Sequence, residues 1–167
     1  IDLDLQKYMT EQFKDKKGAF IAMEAKTGKI LVAVSYPEYS LNFMSSRFTT
    51  EEWDKLINDP NKPLNNKFSG STYPPGSTFK VVTGMAILDS GISPQQTMYS
   101  TGQYQIGRTI FRDSHRGGHG TTNFYKAIRE SVNTYFYVFS KEVGVEKLAK
   151  VARDYGLGEK TGIDIPG

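Results

Sequence analysis

The chain has no cysteine, which excludes disulfides and thiolate chemistry and leaves the redox compartment open. It has only two histidines, His115 and His119, flanking Arg116-Gly117-Gly118. With Asp113 they could contribute to a zinc site, but no thiolate is available and no fourth ligand is evident. The expectation is therefore no metal, and no cofactor. No apolar run approaches the length of a membrane-spanning helix, and no signal peptide is visible. The chain opens on Ile1 rather than Met, which predicts a processed or trimmed product from which a targeting segment could have been removed. Neither charge dominates: 21 basic residues stand against 18 acidic ones, scattered along the chain, which argues against a nucleic-acid partner.

What is present is a globular composition with ten Tyr and ten Phe, in a length of about one domain or a piece of one. The central feature is Tyr73-Pro74-Pro75-Gly76-Ser77-Thr78-Phe79-Lys80. A Pro-Pro-Gly turn delivers Ser77, and Lys80 follows three positions later on the same face of a helix predicted over Ser77–Asp89 and stopped at Gly91. A serine needs a base to become a nucleophile, and a desolvated lysine of lowered pKa can be that base. The helix is apolar nearly all round and should be central; Gly84 within it predicts a close backbone contact.

Spacing predicts a helix from Asp4 to about Lys16, then a β-hairpin of Ala19–Glu24 and Lys29–Ser35. Ile30 to Val34 is apolar without alternation, which predicts a strand covered on both faces and a sheet needing more strands than this chain supplies. A short helix is expected around Thr50–Ile57, and mostly loop and short extended pieces over Gly91–Thr121. Further helices are expected from near Asn123 to before Ser131, over Thr134–Val143 and over Val145–Tyr155, followed by a Gly- and Pro-rich tail to Gly167. Trp53 and the Tyr/Phe cluster at 135–139 read as core, and His119 as a loop brace.

By itself Ser-x-x-Lys is a weak signal. Here it lies upstream of Ser131-Val132-Asn133, in a break between two helices, where Ser can relay a proton and Asn can hold a substrate amide. The local alternative is that Ser131 or Asn133 simply caps the next helix. Together the two motifs resemble those of the penicillin-recognising serine acyltransferases. Ile1–Gln6 resembles the entry to the transpeptidase domain of class B penicillin-binding proteins, and Glu24–Val32 their first hairpin. Pro63–Lys67, Tyr73–Lys80, Gly118-His119-Gly120, Thr134–Tyr137 and Gly156–Gly167 are most similar to the penicillin-binding protein 2 subfamily of the elongation machinery.

The resemblance implies an α+β, serine β-lactamase-like fold: an antiparallel sheet with helices on both faces. Residues 1–167 would be the N-terminal portion of one transpeptidase domain, holding the first hairpin and the helical subdomain. It implies a D,D-transpeptidase acting on peptidoglycan stem peptides ending in D-Ala-D-Ala. Ser77 would be the nucleophile and Lys80 its base. Ser131 would be the proton shuttle, and Asn133 the substrate-binding residue that also orients Lys80. β-Lactam antibiotics would acylate Ser77.

The family's third motif, Lys-Ser/Thr-Gly on a strand, is matched neither by Lys26-Thr27-Gly28 nor by Lys160-Thr161-Gly162, and Ser40-Leu41-Asn42 precedes the nucleophile. The true motif is expected beyond Gly167, in a C-terminal remainder of the same domain that would be a partner of this chain. Two alternatives accompany this reading. One is a class D β-lactamase or β-lactam sensor domain, against which Asn133 and the Tyr-Pro-Pro-Gly lead-in argue. The other is a fragment that is inactive alone and acts as a binding module. The resemblance further implies an elongation-complex scaffold and a glycan polymerase as partners, and a periplasmic domain on a single inner-membrane anchor.

Overall fold

The computed structural model describes residues 1–164, which form two compact units, Ile1–Tyr73 with Asp164 and Pro74–Ile163. In the first, α1 spans Leu3–Gln12 and is capped by Asp2, whose carboxylate accepts from the Leu5 N–H at 3.0 Å. It ends four residues before the predicted Lys16. After Phe13, which packs against Phe20, the chain offers only Lys and Asp, with nothing apolar to bury, and Asp15 turns left-handed at φ 62°.

Strands β1 (Gly18–Met23) and β2 (Ile30–Tyr36) pair antiparallel, with Phe20 opposite Val34 and an irregularity between Ala22 and Met23. The continuous apolar run of β2 is nonetheless buried in alternation. Val32 and Val34 are buried while Leu31 is 37% exposed, so coverage of both faces is not met within this unit. The edge of β2 away from β1 is occupied by α1. The Gln6 amide donates to the Ala33 carbonyl and accepts its N–H, both at 2.9 Å, and Asp2 N–H reaches Leu31 O at 2.8 Å. A side-chain amide thus stands in for a neighbouring strand.

Two short helices follow, α2 (Leu41–Ser45), which periodicity does not reveal, and α3 (Thr50–Ile57), closed by a capping box between Thr49 and Glu52. Ser40 caps α2 by accepting the Phe43 N–H, which accounts for Ser40 of the Ser-Leu-Asn triplet.

The second unit opens with a 3-10 turn, Gly76–Phe79, that runs into α4 (Lys80–Asp89). Two small antiparallel ribbons follow. The β4 (Gln103–Ile106) and β5 (Thr109–Arg112) hairpin is one; β3 (Met98–Ser100) paired with β6 (Gly120–Thr122) is the other. Helices α5 (Phe124–Arg129), α6 (Asn133–Val143) and α7 (Val145–Asp154) complete the unit.

Its core joins Ile87 of α4 to Ala127, Val132, Tyr135, Phe136 and Phe139, with a second cluster of Val82, Ala86 and Val151. Helix α4 is central as expected, although Val81 remains 58% exposed. The contact that excludes a side chain at Gly84 is the Phe124 ring, 3.0 Å from where a Cβ would stand, rather than a backbone.

Candidate active site

Gly76 lies at φ +55° with nothing within 4 Å of a Cβ position, so the Pro-Pro-Gly turn needs its conformation and not its small size. The turn brings Ser77, exposed, to the start of α4, where Lys80 is the first residue. Lys80 is half-buried, and its Nζ donates to Ser131 O at 2.6 Å, to Ser131 Oγ at 2.8 Å and to Asn133 Oδ1. The Phe136 ring centroid lies 5.6 Å from the same nitrogen. Ser131 Oγ is in turn 3.1 Å from Ser77 Oγ.

The sequence predicts a direct Ser77–Lys80 pair. Instead, among the described residues, the link runs through the Ser131 hydroxyl. Burial pushes the Lys80 ammonium below the ordinary lysine pKa, and the nearby negative charge of Asp113 opposes that fall.

The conformation of Ser131 explains how this works. Its φ is +55°, a left-handed value at which a glycine is usual. Val132 N–H bonds back to Ala127 O at 3.0 Å and Ser131 N–H to Ile128 O at 3.3 Å, the paired bonds of a Schellman stop to α5. A side chain at this position costs about 1 kcal/mol relative to glycine. What the serine adds is the hydroxyl between Lys80 and Ser77.

Neither Ser131 nor Asn133 caps α6: Val132 stands at the cap position, without a side-chain bond. Asn133 Oδ1 is taken by Lys80, and one Nδ2 hydrogen by Arg112 O at 2.9 Å. A cleft of about 490 Å³ is lined by Ser77, Lys80 and Asn133 on its polar side and by Phe79, Phe136 and Leu148 on its apolar side. Tyr137 also lines it, so that member of the predicted aromatic core faces the site instead, while Tyr135, Phe136 and Phe139 are buried.

His119 Nδ1 faces Glu130 Oε2 at 3.1 Å, and the His119 backbone N–H donates to Ser100 Oγ, so the residue braces the loop. His115 Nδ1 lies 2.9 Å from Gly118 O. Among the described residues, no three His, Asp or Glu side chains are placed to hold one metal ion. Lys26-Thr27-Gly28 is the β1–β2 turn, and Lys160-Thr161-Gly162 follows α7 outside any strand. Asp113, buried against Thr134 and Ser100, is the residue near the site that sequence reasoning missed as anything but a possible zinc ligand.

Residues 18–167 match the family described as penicillin binding protein transpeptidase domain. Peptidoglycan D,D-transpeptidase MrdA of Haemophilus influenzae is 36% identical over 99% of this chain and 26% of its own length. Penicillin-binding protein PBP2 from Helicobacter pylori, also solved in complex with MreC, superposes with a TM-score of 0.93 at 44% identity, over 99% of this chain and 32% of that one. Penicillin-binding protein A of M. tuberculosis, as its penicillin G acyl-enzyme complex, superposes with a TM-score of 0.83 at 30% identity, over 92% of this chain and 38% of that one. The chain spans about a quarter of the length of the curated relatives it matches. On the matched residues, and on likeness that runs along nearly all of its length, the chain belongs to the penicillin-binding protein transpeptidase domain family.

Proposed function

We propose that the full-length protein is a serine-type peptidoglycan D,D-transpeptidase that cross-links stem peptides ending in D-Ala-D-Ala through an acyl-enzyme on Ser77. The observation that carries this reading is the hydrogen-bonded series from Ser77 through Ser131 to Lys80 at a cleft. With Lys80 neutral, its two N–H groups stay on Ser131 O and Asn133 Oδ1, and its lone pair accepts the Ser131 proton. Ser131 accepts that of Ser77. Ser77 Oγ bonds to the penultimate carbonyl carbon, with the Ser77 backbone N–H as one oxyanion donor. The C–N bond then breaks, and the proton returns from Lys80 through Ser131 to the leaving D-Ala amine. The second N–H of Asn133 Nδ2 is available to a substrate carbonyl. An amine of a neighbouring stem then bonds to the acyl carbon, the ester C–O bond breaks, and a proton from that amine returns to Ser77 Oγ.

The hairpin supports a place for the rest of the domain. Since Gln6 and Asp2 occupy one edge of β2, further strands join at β1. We place the third motif on such a strand, in the length of the relatives that this chain does not span. The isolated 167 residues are then expected to be inactive. β-Lactams acylate Ser77, a reading supported by the M. tuberculosis acyl-enzyme. A scaffold protein and a glycan polymerase are the partners, supported by the H. pylori complex with MreC and a solved peptidoglycan synthase complex. The substrate places the domain on the periplasmic side of the inner membrane, on a single anchor. Among the described residues no helix is long and apolar enough to cross a membrane.

The test is intact mass spectrometry of full-length protein with and without a penicillin, under denaturing conditions. A penicillin-sized adduct on the Ser77 peptide, absent from Ser77→Ala, is expected; an adduct that persists in that variant would remove Ser77 from its role. Nitrocefin separates the lactamase alternative, since rapid turnover favours it and a stoichiometric burst favours the transpeptidase.

Ser131→Gly gives a second expected outcome. Glycine suits the left-handed position, so stability should hold or rise by about 1 kcal/mol. Acylation should fall by roughly a hundredfold, because the proton path is cut. A variant that acylates at the wild-type rate would exclude the relay.

A further inference from the structure

Asp113 is 5% exposed, yet the reaction above gives it no part. It follows β5 directly. Its Oδ1 accepts the Thr134 N–H at 2.9 Å, and its Oδ2 lies 2.7 Å from Thr134 Oγ1 and 2.9 Å from Ser100 Oγ. Thr134 is the second residue of α6, and its N–H is one of those a helix leaves unpaired. A cap residue ordinarily supplies the acceptor, but Val132 has none to offer. Asp113 supplies it from another element, and its charge faces the positive end of the α6 dipole. The neighbouring Arg112 carbonyl holds Asn133 Nδ2. The last residue of β5 and the one after it therefore grip the first two of α6, and Asn133 is left free of capping to meet Lys80.

We propose that Asp113 is a positioning residue: a helix cap, supplied from the end of β5, that holds Ser131 and Asn133 at hydrogen-bonding distance from Lys80. The inference rests on the transpeptidase reading given above. The charge has a second effect. Burial pushes the Asp113 carboxyl up, but its Thr134 and Ser100 hydrogen bonds and the nearby His119 outweigh it and hold the group below the ordinary aspartate pKa.

Several other charged groups on the elements around Lys80 are paired elsewhere. Lys126 bonds to His119 O, Arg129 pairs with Glu130, and Lys147 pairs with Asp89. Lys150 pairs with Asp154. Lys141 and Glu142 of α6, Glu146 and Arg153 of α7 and Arg112 of β5 are the other charged residues on these elements among the described residues. The charge that bears on Lys80 is that of Asp113, and it favours the ammonium. Removing it should let Lys80 become a base at lower pH.

The test is the rate of Ser77 acylation by a fluorescent penicillin across pH, in the full-length protein. Asp113→Asn should move the rising limb to lower pH and cut the plateau by about tenfold to a hundredfold, the cost of a displaced catalytic group. Thr134→Val should lower the plateau and leave the limb in place, and Thr134→Ser should restore the rate. If Asp113→Asn does not fold, the Thr134 pair decides alone. Wild-type limb and plateau in Asp113→Asn, or a Thr134→Val variant as fast as wild type, would overturn the inference. A wild-type protein that is not acylated overturns this inference and the function together. An acylated wild type with an unmoved Asp113→Asn profile overturns this inference only.

Discussion

Replacing Lys80 by Met is expected to slow acylation of Ser77 by about a thousandfold while leaving the fold intact. Methionine matches the lysine stem in length and keeps its packing beside Phe136, so the change removes the nitrogen and little else. General-base catalysis contributes about 10²- to 10⁴-fold, and Lys80, at the end of the Ser77–Ser131 series, is the base in the proposed reaction.

The pH dependence adds a sign. Burial lowers the pKa of Lys80 from the usual lysine value, and the proposed reaction uses the neutral amine. Wild-type acylation therefore rises with pH through that lowered pKa and levels above it, while Lys80→Met should lose the Lys80 limb. Labelling rates with a fluorescent penicillin at a series of pH values measure both effects. A Lys80→Met protein with the wild-type profile would assign the base to another group.

The second large effect is on stability. Gly118→Ala should destabilise the domain by about 3 kcal/mol or more, from a steric clash combined with a left-handed backbone. At Gly118, φ is +76°, and an added Cβ would stand 2.3 Å from Ser100 O, 2.5 Å from Thr101 C and 2.6 Å from Gly102 N. All three are backbone atoms, so no rotamer change relieves the overlap. The same crowding appears from the other side, where a Cβ on Gly102 would meet Arg116 O at 2.6 Å. Any shift moves Ser100, which bonds to Asp113, so acylation should fall along with stability.

Gly28→Ala is the control. Its φ is +72° but nothing lies within 4 Å, so only the conformational cost of about 1 kcal/mol applies. Urea denaturation of the full-length variants reads the difference. Equal losses for the two would mean that the close approach at Gly118 relaxes without cost.

Much of the helical scaffold is legible from local signals. Asn123 before α5, Gly144 after α6 and Gly156 after α7 mark boundaries that the structure places within a few residues. The β1–β2 hairpin is legible for the same reason, as two apolar runs around a Thr-Gly turn. The short extended pieces expected over Gly91–Thr121 are present as β3 to β6, but their pairing into ribbons is not legible. Strands β3 and β6 have three residues each, too few for an alternation to register, and they pair across about twenty intervening residues. Asp113 is illegible in the same sense: an aspartate after a short strand looks like any solvated loop carboxylate until Thr134, 21 residues later, is brought against it.

The sequence by itself determined that a serine and a lysine share the start of a buried helix, and that a Ser-Val-Asn segment falls in a break between two others. Turn preferences and apolar spacing act within a few residues, so they are written where they operate. Only the tertiary structure decided how those groups connect. Lys80 meets Ser131 and Asn133 across 51 and 53 residues, Ser77 reaches Lys80 through a hydroxyl rather than directly, and the cap of α6 comes from β5. Such contacts depend on how separate elements pack, and packing sums weak, non-local terms that no short stretch of chain records.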